Sequence, residues 1–270
     1  MDITKGGILM DLTLRVKELA KNEGASLVGI SPVDRFDGAP RGHHPRQIVP
    51  EAKSVVSFGV ALPELVSDWE HLFIDSEILP KEVRKEVLQN YFYRSSGYEI
   101  VNHRLNQIAL RLANFLEERG FRSLFFPATY DEAYRDIISM IPSGFGLFSQ
   151  RHAAVRAGLG EFGLHNVVVT EEFGPRIRFN SVITEAELSP TPLLKEKICL
   201  GEACFICVDE CAPGAIKLDP EVDPNQIWLD PVSRTDWDLC NEKRQVYFCY
   251  GKCIRVCPIG RKRPYRGRKG

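Results

Sequence analysis

The stretch KICLGEACFICVDECAPGAIKLDP, residues 197 to 220, places Cys199, Cys204, Cys207 and Cys211 within thirteen positions. A second group follows in CYGKCIRVCPIG, with Cys249, Cys253 and Cys257, and Cys240 stands between the two. All eight cysteines of the 270-residue chain fall here, and none in residues 1 to 198. In a reducing compartment so many thiols would not persist as structural disulfides, so they read as ligands. The first group is spaced C-x4-C-x2-C-x3-C-A-P. Two-cluster ferredoxins use C-x2-C-x2-C-x3-C-P, in which three cysteines bind one [4Fe–4S] cluster and the fourth reaches across to the other. Applied here, that cross-over assigns Cys199, Cys204, Cys207 and Cys257 to one cluster, and Cys211, Cys240, Cys249 and Cys253 to the second. Two structural zinc sites would also use eight thiolates, but zinc modules usually separate their ligands into C-x2-C pairs. A trio followed by a fourth cysteine and a proline favours iron–sulfur. Two clusters pass single electrons from an outside donor to an acceptor, which the first 190 residues are expected to hold.

The remainder of the chain must supply the scaffold for that acceptor. Hydrophobic residues at 44% and charged residues at 26% are ordinary globular values. The net charge of -1 gives no electrostatic argument for nucleic acid over the whole chain. Residues 261–270, with Arg and Lys and no acid, form a basic tail that reads either as a solvated end or as a phosphate-binding arm. No apolar stretch approaches a membrane span and no export signal opens the sequence, so the expected location is the cytoplasm, without a membrane partner.

Residues 11 to 23 carry Leu12, Val16, Leu19 and Ala20 on one helical face, with Asp11 as a cap. ASLVGIS, SVVSFGVAL and FRSLFFP read as buried strands. Leu105, Ile108, Leu112, Phe115 and Leu116 repeat at three and four in a long helix ended by Gly120. SQRHAAVRAG is a short helix, and NVVVT with RIRFNSVIT, joined by EEFGP, predicts an antiparallel hairpin. The pattern is α/β (α+β): a sheet-and-helix domain over 1–190, and a small ferredoxin-like domain with two [4Fe–4S] clusters over 191–260.

Gly158, Gly160 and Gly163 in GLGEFG match the G-x-G-x-x-G of a dinucleotide fold. That fingerprint needs a strand before it and a helix after it, because the helix N-terminus must face the pyrophosphate. Here helix-like RHAAVRA precedes and strand-like LHNVVVT follows, so the better expectation is a loop that needs close backbone approach.

The order of the eight cysteines, with HPRQIVPEAKSVVSFGVALP, GYEIVNHRLNQIALRLANFLEERGF and RHAAVRAGLGEFGLHNVVVTEEFGPRIRFNSVITEAEL, resembles the corrinoid-dependent iron–sulfur reductases. That family includes epoxyqueuosine reductases and reductive dehalogenases. The resemblance implies a nitroreductase-like domain over 1–190 that binds base-off cobalamin, reduced by the cluster module, with FMN as the less favoured cofactor. It implies a low-potential donor of ferredoxin or flavodoxin type, and a small-molecule or tRNA-borne substrate. An electron-transfer protein that reduces a partner's cofactor is the alternative function.

Through the same resemblance, Tyr98 is the candidate catalytic acid, or else an aromatic of the core. Arg151 and Arg156 would bind the nucleotide-tail phosphate or face solvent. His152 and His165 would ligate cobalt or bond the corrin's amides, unless the backbone satisfies them, and Gly158, Gly160, Gly163 and Asn166 would line the corrin. The chain departs from the family at Tyr98-Glu99, where epoxyqueuosine reductases have Tyr-His, and in IPSGFGLFSQR, which lacks their acid.

Overall fold

Valine and isoleucine recur along the runs that become β1 (Leu27–Pro32) and β2 (Ser54–Ala61), and such residues suit a pleated, buried surface. The computed structural model describes residues 3–75, 77–129, 146–218, 223, 225–246, 249 and 251–262. Along it follow β3 (Ser123–Phe125), β4 (Glu161–Phe162), β5 (Val168–Val169), β6 (Ile177–Thr184), β7 (Ile216–Leu218) and β8 (Ser233–Thr235). The main helices are α1 (Ile3–Asn22), α2 (Lys81–Leu88), α3 (Ile100–Glu117), α4 (Gln150–Arg156), α5 (Ile206–Asp209), α6 (Trp237–Val246) and α7 (Lys252–Val256). Among the described residues no helix is long and apolar enough to cross a membrane. The basic tail from 263 onward lies outside the described residues, as does most of the acid-free segment before Gln150.

Two compact units are present, each assembled from separate pieces of chain. The first comprises Met1–Val60, Asn102–Leu159 and Arg178–Leu193. Its four-stranded sheet has the order β1-β2-β6-β3, with β1 antiparallel to β2 from Leu27↔Gly59 to Pro32↔Ser54, and β3 antiparallel to β6 from Ser123↔Thr184 to Phe125↔Val182. β2 and β6 are buried along nearly their whole length; β2 accordingly reads as a mostly apolar run, whereas β6 also buries Asn180, Ser181 and Thr184. Leu105, Ile108, Leu112 and Leu116 are fully buried along α3, as their spacing requires. Phe115 stays half-buried, capped by the Arg119 guanidinium 3.6 Å from its ring. Val33, Phe36, Val55, Phe148, Ala153 and Ile183 form one cluster, joining β2, β6 and α4.

The second unit comprises Ala61–Val101, Gly160–Ile177 and Leu194–Gly270. It holds α2, a π-helical stretch over Gln89–Glu99, two small sheets, β4-β5 and β7-β8, and the cysteine segment. The last switch between units, at Leu193–Leu194, falls where the cysteine-rich composition begins.

Two expectations are corrected. α1 begins at Ile3, so Asp11 is an interior residue paired with Arg15 at 3.8 Å and not a cap. The hairpin does not form either: β5 pairs with β4, through Glu161↔Val169 and Phe162↔Val168, while β6 enters the large sheet. A bridge between Thr170 and Gly174 closes the turn, and the chain leaves for the other sheet after it. Strand partners are non-local, and a turn signal alone cannot name them.

Candidate metal centre

The cysteine segment reaches its shape through tight backbone turns. Phe205 takes a left-handed φ of 45° immediately before α5, and Gly251 takes 79° immediately before α7. Cys207 thus sits on α5 and Cys253 on α7. None of the eight cysteines is in a disulfide. Cys199, Cys204, Cys207 and Cys257 line one cavity, whose other walls are mainly apolar, with Leu164, Phe205, Ile206, Pro258 and Ile259 among them, together with His165.

The thiols act on one another in two sets. Burial pushes Cys257 up to about 11, with the charges of Cys199 and Cys204 adding to it, against Ile259 N–H and Arg176. Burial pushes Cys253 up to about 12, with Cys249, Cys211 and Cys240 adding. Cys207 is pushed up by burial and then by Cys253, Cys199, Cys257 and Cys204, so the two sets lie side by side. Thiols gathered so closely resist ionisation, and bound metal cations would remove that resistance. Backbone N–H groups already face the sulfurs: Gly201 and Leu164 at Cys199, Ile254 at Cys253, and Ala215 at 3.3 Å from Cys211 Sγ. Among the described residues no three His, Cys, Asp or Glu side chains group closely enough for a single ion. A four-iron cube is wider than one ion, and a cavity with four thiols around it fits such a group.

Buried charges hold this segment, and their roles were not visible in the sequence. Glu161 on β4 is fully buried; Oε1 accepts from the N–H groups of Ile198 and Cys199, Oε2 accepts from Trp228 N–H at 2.9 Å, and Lys197 lies 3.6 Å away. Arg255 on α7 is fully buried, donates to the Cys249 carbonyl at 3.1 Å, and lies 3.1 Å from Glu70. Arg261 donates to the Cys257 carbonyl and bidentately to Asp68 at 2.7 and 2.8 Å. Arg176 bonds the Cys257 carbonyl at 3.0 Å, and burial, then the charge of Arg261, lowers it to about 10. For Glu161 and Arg255 the one signal in the sequence was a charge set between apolar neighbours, whereas Arg261 lies in the basic run GRKRP.

The remaining predicted residues divide between the units. Arg151, His152 and Arg156 are half-buried on α4 in the first unit; burial lowers the Arg151 pKa. Ser149 caps α4 and its Oγ lies 2.7 Å from His152 Nδ1, while the Arg156 carbonyl accepts from Arg35 at 2.7 Å. Gly158 has a φ of 73°, and a Cβ there would meet the Pro192 carbonyl oxygen at 2.1 Å. The loop it opens runs from α4 into β4, helix to strand, so the dinucleotide arrangement is absent.

Gly160, Gly163, His165 and Asn166 belong to the second unit. A Cβ on Gly160 would meet the Val169 carbonyl oxygen at 2.4 Å, and Gly163 lies against the His165 ring. His165 Nδ1 accepts from Val167 N–H at 3.2 Å, which leaves the proton on Nε2. Burial, then the Arg176 charge, lowers His165 to about 4. The structure therefore brings His165 to the cysteine cavity. Asn166 takes a left-handed φ of 59° and reaches Thr235 Oγ1 at 3.5 Å. Tyr98 lies half-buried near the end of the π-helical stretch.

No protein-family profile matches the chain. It is similar to the epoxyqueuosine reductase of Bacillus subtilis, 24% identical over 92% of this chain and 63% of that protein. A tetrachloroethene reductive dehalogenase of Desulfitobacterium hafniense is 33% identical over 38% of the chain and 21% of its own length. The chain thus spans less than two thirds of these relatives. Among solved structures, the epoxyqueuosine reductase of Streptococcus thermophilus superimposes with a TM-score of 0.58 at 17% identity, covering 94% of this chain and 68% of that one. A reductive dehalogenase whose structure bears on B12-dependent dehalogenation gives 0.56, over 92% of this chain and 32% of that one. By sequence the chain is similar to the epoxyqueuosine reductases and reductive dehalogenases, and it shares their mixed α/β fold.

Proposed function

We propose that the chain is an iron–sulfur oxidoreductase that carries low-potential electrons through two [4Fe–4S] clusters to a bound cobalamin, where an organic substrate is reduced. The observation that carries this is the gathering of eight disulfide-free thiols into two interacting sets, in a chain with these relatives. In this reading Cys199, Cys204, Cys207 and Cys257 hold one cluster, Cys211, Cys240, Cys249 and Cys253 hold the other, and residues 191–260 form a ferredoxin-like module. When bound, the clusters relay single electrons and the cobalamin supplies the reducing centre.

The chain's own residues bind and position. Arg151 and Arg156 offer cations for the nucleotide tail and His152 a polar contact, while Gly158, Gly160 and Gly163 are taken up by close packing on Pro192, Val169 and His165. Tyr98 holds the proton for the substrate. A Tyr98→Phe variant is expected to lose turnover while it keeps its cofactors, and full turnover would remove Tyr98 from the mechanism. The epoxyqueuosine reductase match extends over 92% of the chain and the dehalogenase match over 38%, which favours a tRNA-borne substrate over an organohalide. A solved epoxyqueuosine reductase is bound to a tRNA stem loop. The electron donor in this reading is of ferredoxin or flavodoxin type.

The test is reconstitution without oxygen in the presence of iron, sulfide and cobalamin. Stoichiometric cobalt with a base-off spectrum is the expected result. Intact clusters with no cobalt would remove the corrinoid, and a flavin spectrum would replace it.

A further inference from the structure

Arg176 is 2% exposed, and its guanidinium bonds to main-chain carbonyls: Nη1 donates to Ile254 at 3.3 Å and Cys257 at 3.0 Å, and Nη2 donates to Ile259. The two neighbouring arginines are neutralised by direct carboxylate partners, Arg255 by Glu70 and Arg261 by Asp68. Among the described residues Arg176 forms no ion pair, and the carboxylates of Glu64 and Asp68 act on it only through space. A buried charge with no counter-charge is strongly unfavourable, so a structure that retains one usually supplies its partner another way. The partner here is at hand. The carbonyl that Arg176 grips belongs to Cys257, a wall of the cavity shared with Cys199, Cys204 and Cys207.

Resting on the iron–sulfur reading above, we infer that Arg176 is the fixed counter-charge of the cluster held by Cys199, Cys204, Cys207 and Cys257, and that it raises the reduction potential of that cluster above that of its neighbour. A four-iron, four-sulfide cube on four thiolates is anionic when oxidised and carries one further negative charge when reduced. A nearby cation therefore stabilises the reduced form more. The second set has Arg255 beside the Cys249 carbonyl, but Glu70 cancels that charge. One electron entering from the donor and one leaving for the acceptor then have a defined order, with the Cys257 cluster as the later stop. Arg176 is a positioning residue in this scheme: it touches a ligand's main chain and acts on the cluster through its charge.

The experiment is a redox titration of the reconstituted full chain, followed by electron paramagnetic resonance, on the wild type, R176Q and R176K. R176Q is expected to hold about eight irons and to lower one midpoint potential while the other stays, with at least a tenfold change in the reduced-to-oxidised ratio at fixed potential, or about 59 mV. R176K, which keeps the charge and loses the fork, is expected to stay near the wild-type potential. Both potentials unchanged in R176Q, or both lowered together, would overturn the inference. If R176Q fails to hold the cluster, R176K decides: a retained cluster at the wild-type potential supports the charge role, and a lost or lowered one overturns it. A wild type that takes up no iron would instead sink the iron–sulfur reading itself.

Discussion

His165 shows how one buried side chain links sequence, structure and pH. Its folded pKa near 4, against an ordinary 6.5, means that the unfolded chain binds a proton first as the solution is acidified. The cluster-free protein is therefore expected to be stable in this respect above pH 6.5 and to lose on the order of 3 kcal/mol as pH falls toward 4. Denaturant titrations of H165Q should show a flatter profile over that window, and an unchanged slope would contradict the burial. The thiols run in the opposite sense. Cys257 and Cys253, raised from 9.0 to about 11 and about 12, favour the folded state at lower pH and stop doing so as pH rises through those values. Stability of the cluster-free chain should thus fall above pH 9, and iron loading should abolish that fall, because bound thiolates carry no proton to lose. Glu161 is the third case. Replacing it by Gln removes charge-assisted bonds to the N–H groups of Ile198, Cys199 and Trp228, and is expected to cost about 2 kcal/mol in urea unfolding and to loosen iron retention. Glu161 and Arg176 were not legible as buried groups in the sequence, since a charged residue ordinarily reads as a solvated one, and only the fold reveals what it faces.

At the scale of elements, the local signals held and the pairings did not follow from them. The three-and-four repeat of α3, the apolar runs of β1 and β2, and the glycine-ended α4 depend on neighbours in sequence, so they could be read directly. The choice of β4 as the partner of β5 depends on the five-residue turn over 163–167, where Asn166 takes a left-handed φ, and no periodicity records it. The glycines of that region were legible as a class, a loop with close backbone approach, and the structure specifies which backbone: Pro192 at Gly158 and Val169 at Gly160. Gly158→Ala meets both a left-handed φ and an oxygen at 2.1 Å, so it is expected to destabilise the first unit by at least ~2 kcal/mol. A melting transition that matches the wild type would show that the loop can move aside.

In the whole molecule the two compact units are discontinuous in sequence: Ala61–Val101 and Gly160–Ile177 join the cysteine segment in one of them. Asp68 and Glu70, far from the cysteines in sequence, accordingly end up on Arg261 and Arg255, which hold the carbonyls of Cys257 and Cys249. In the proposed function eight thiolates serve two clusters through a cross-over, with Cys257 completing the first set. It is tested most directly by the iron content per chain of protein reconstituted without oxygen, for the wild type beside C257A. About eight irons are expected in the wild type and about four in the variant, the second set keeping its cluster. Zinc in place of iron, or a C257A variant that still holds about eight irons, would contradict it.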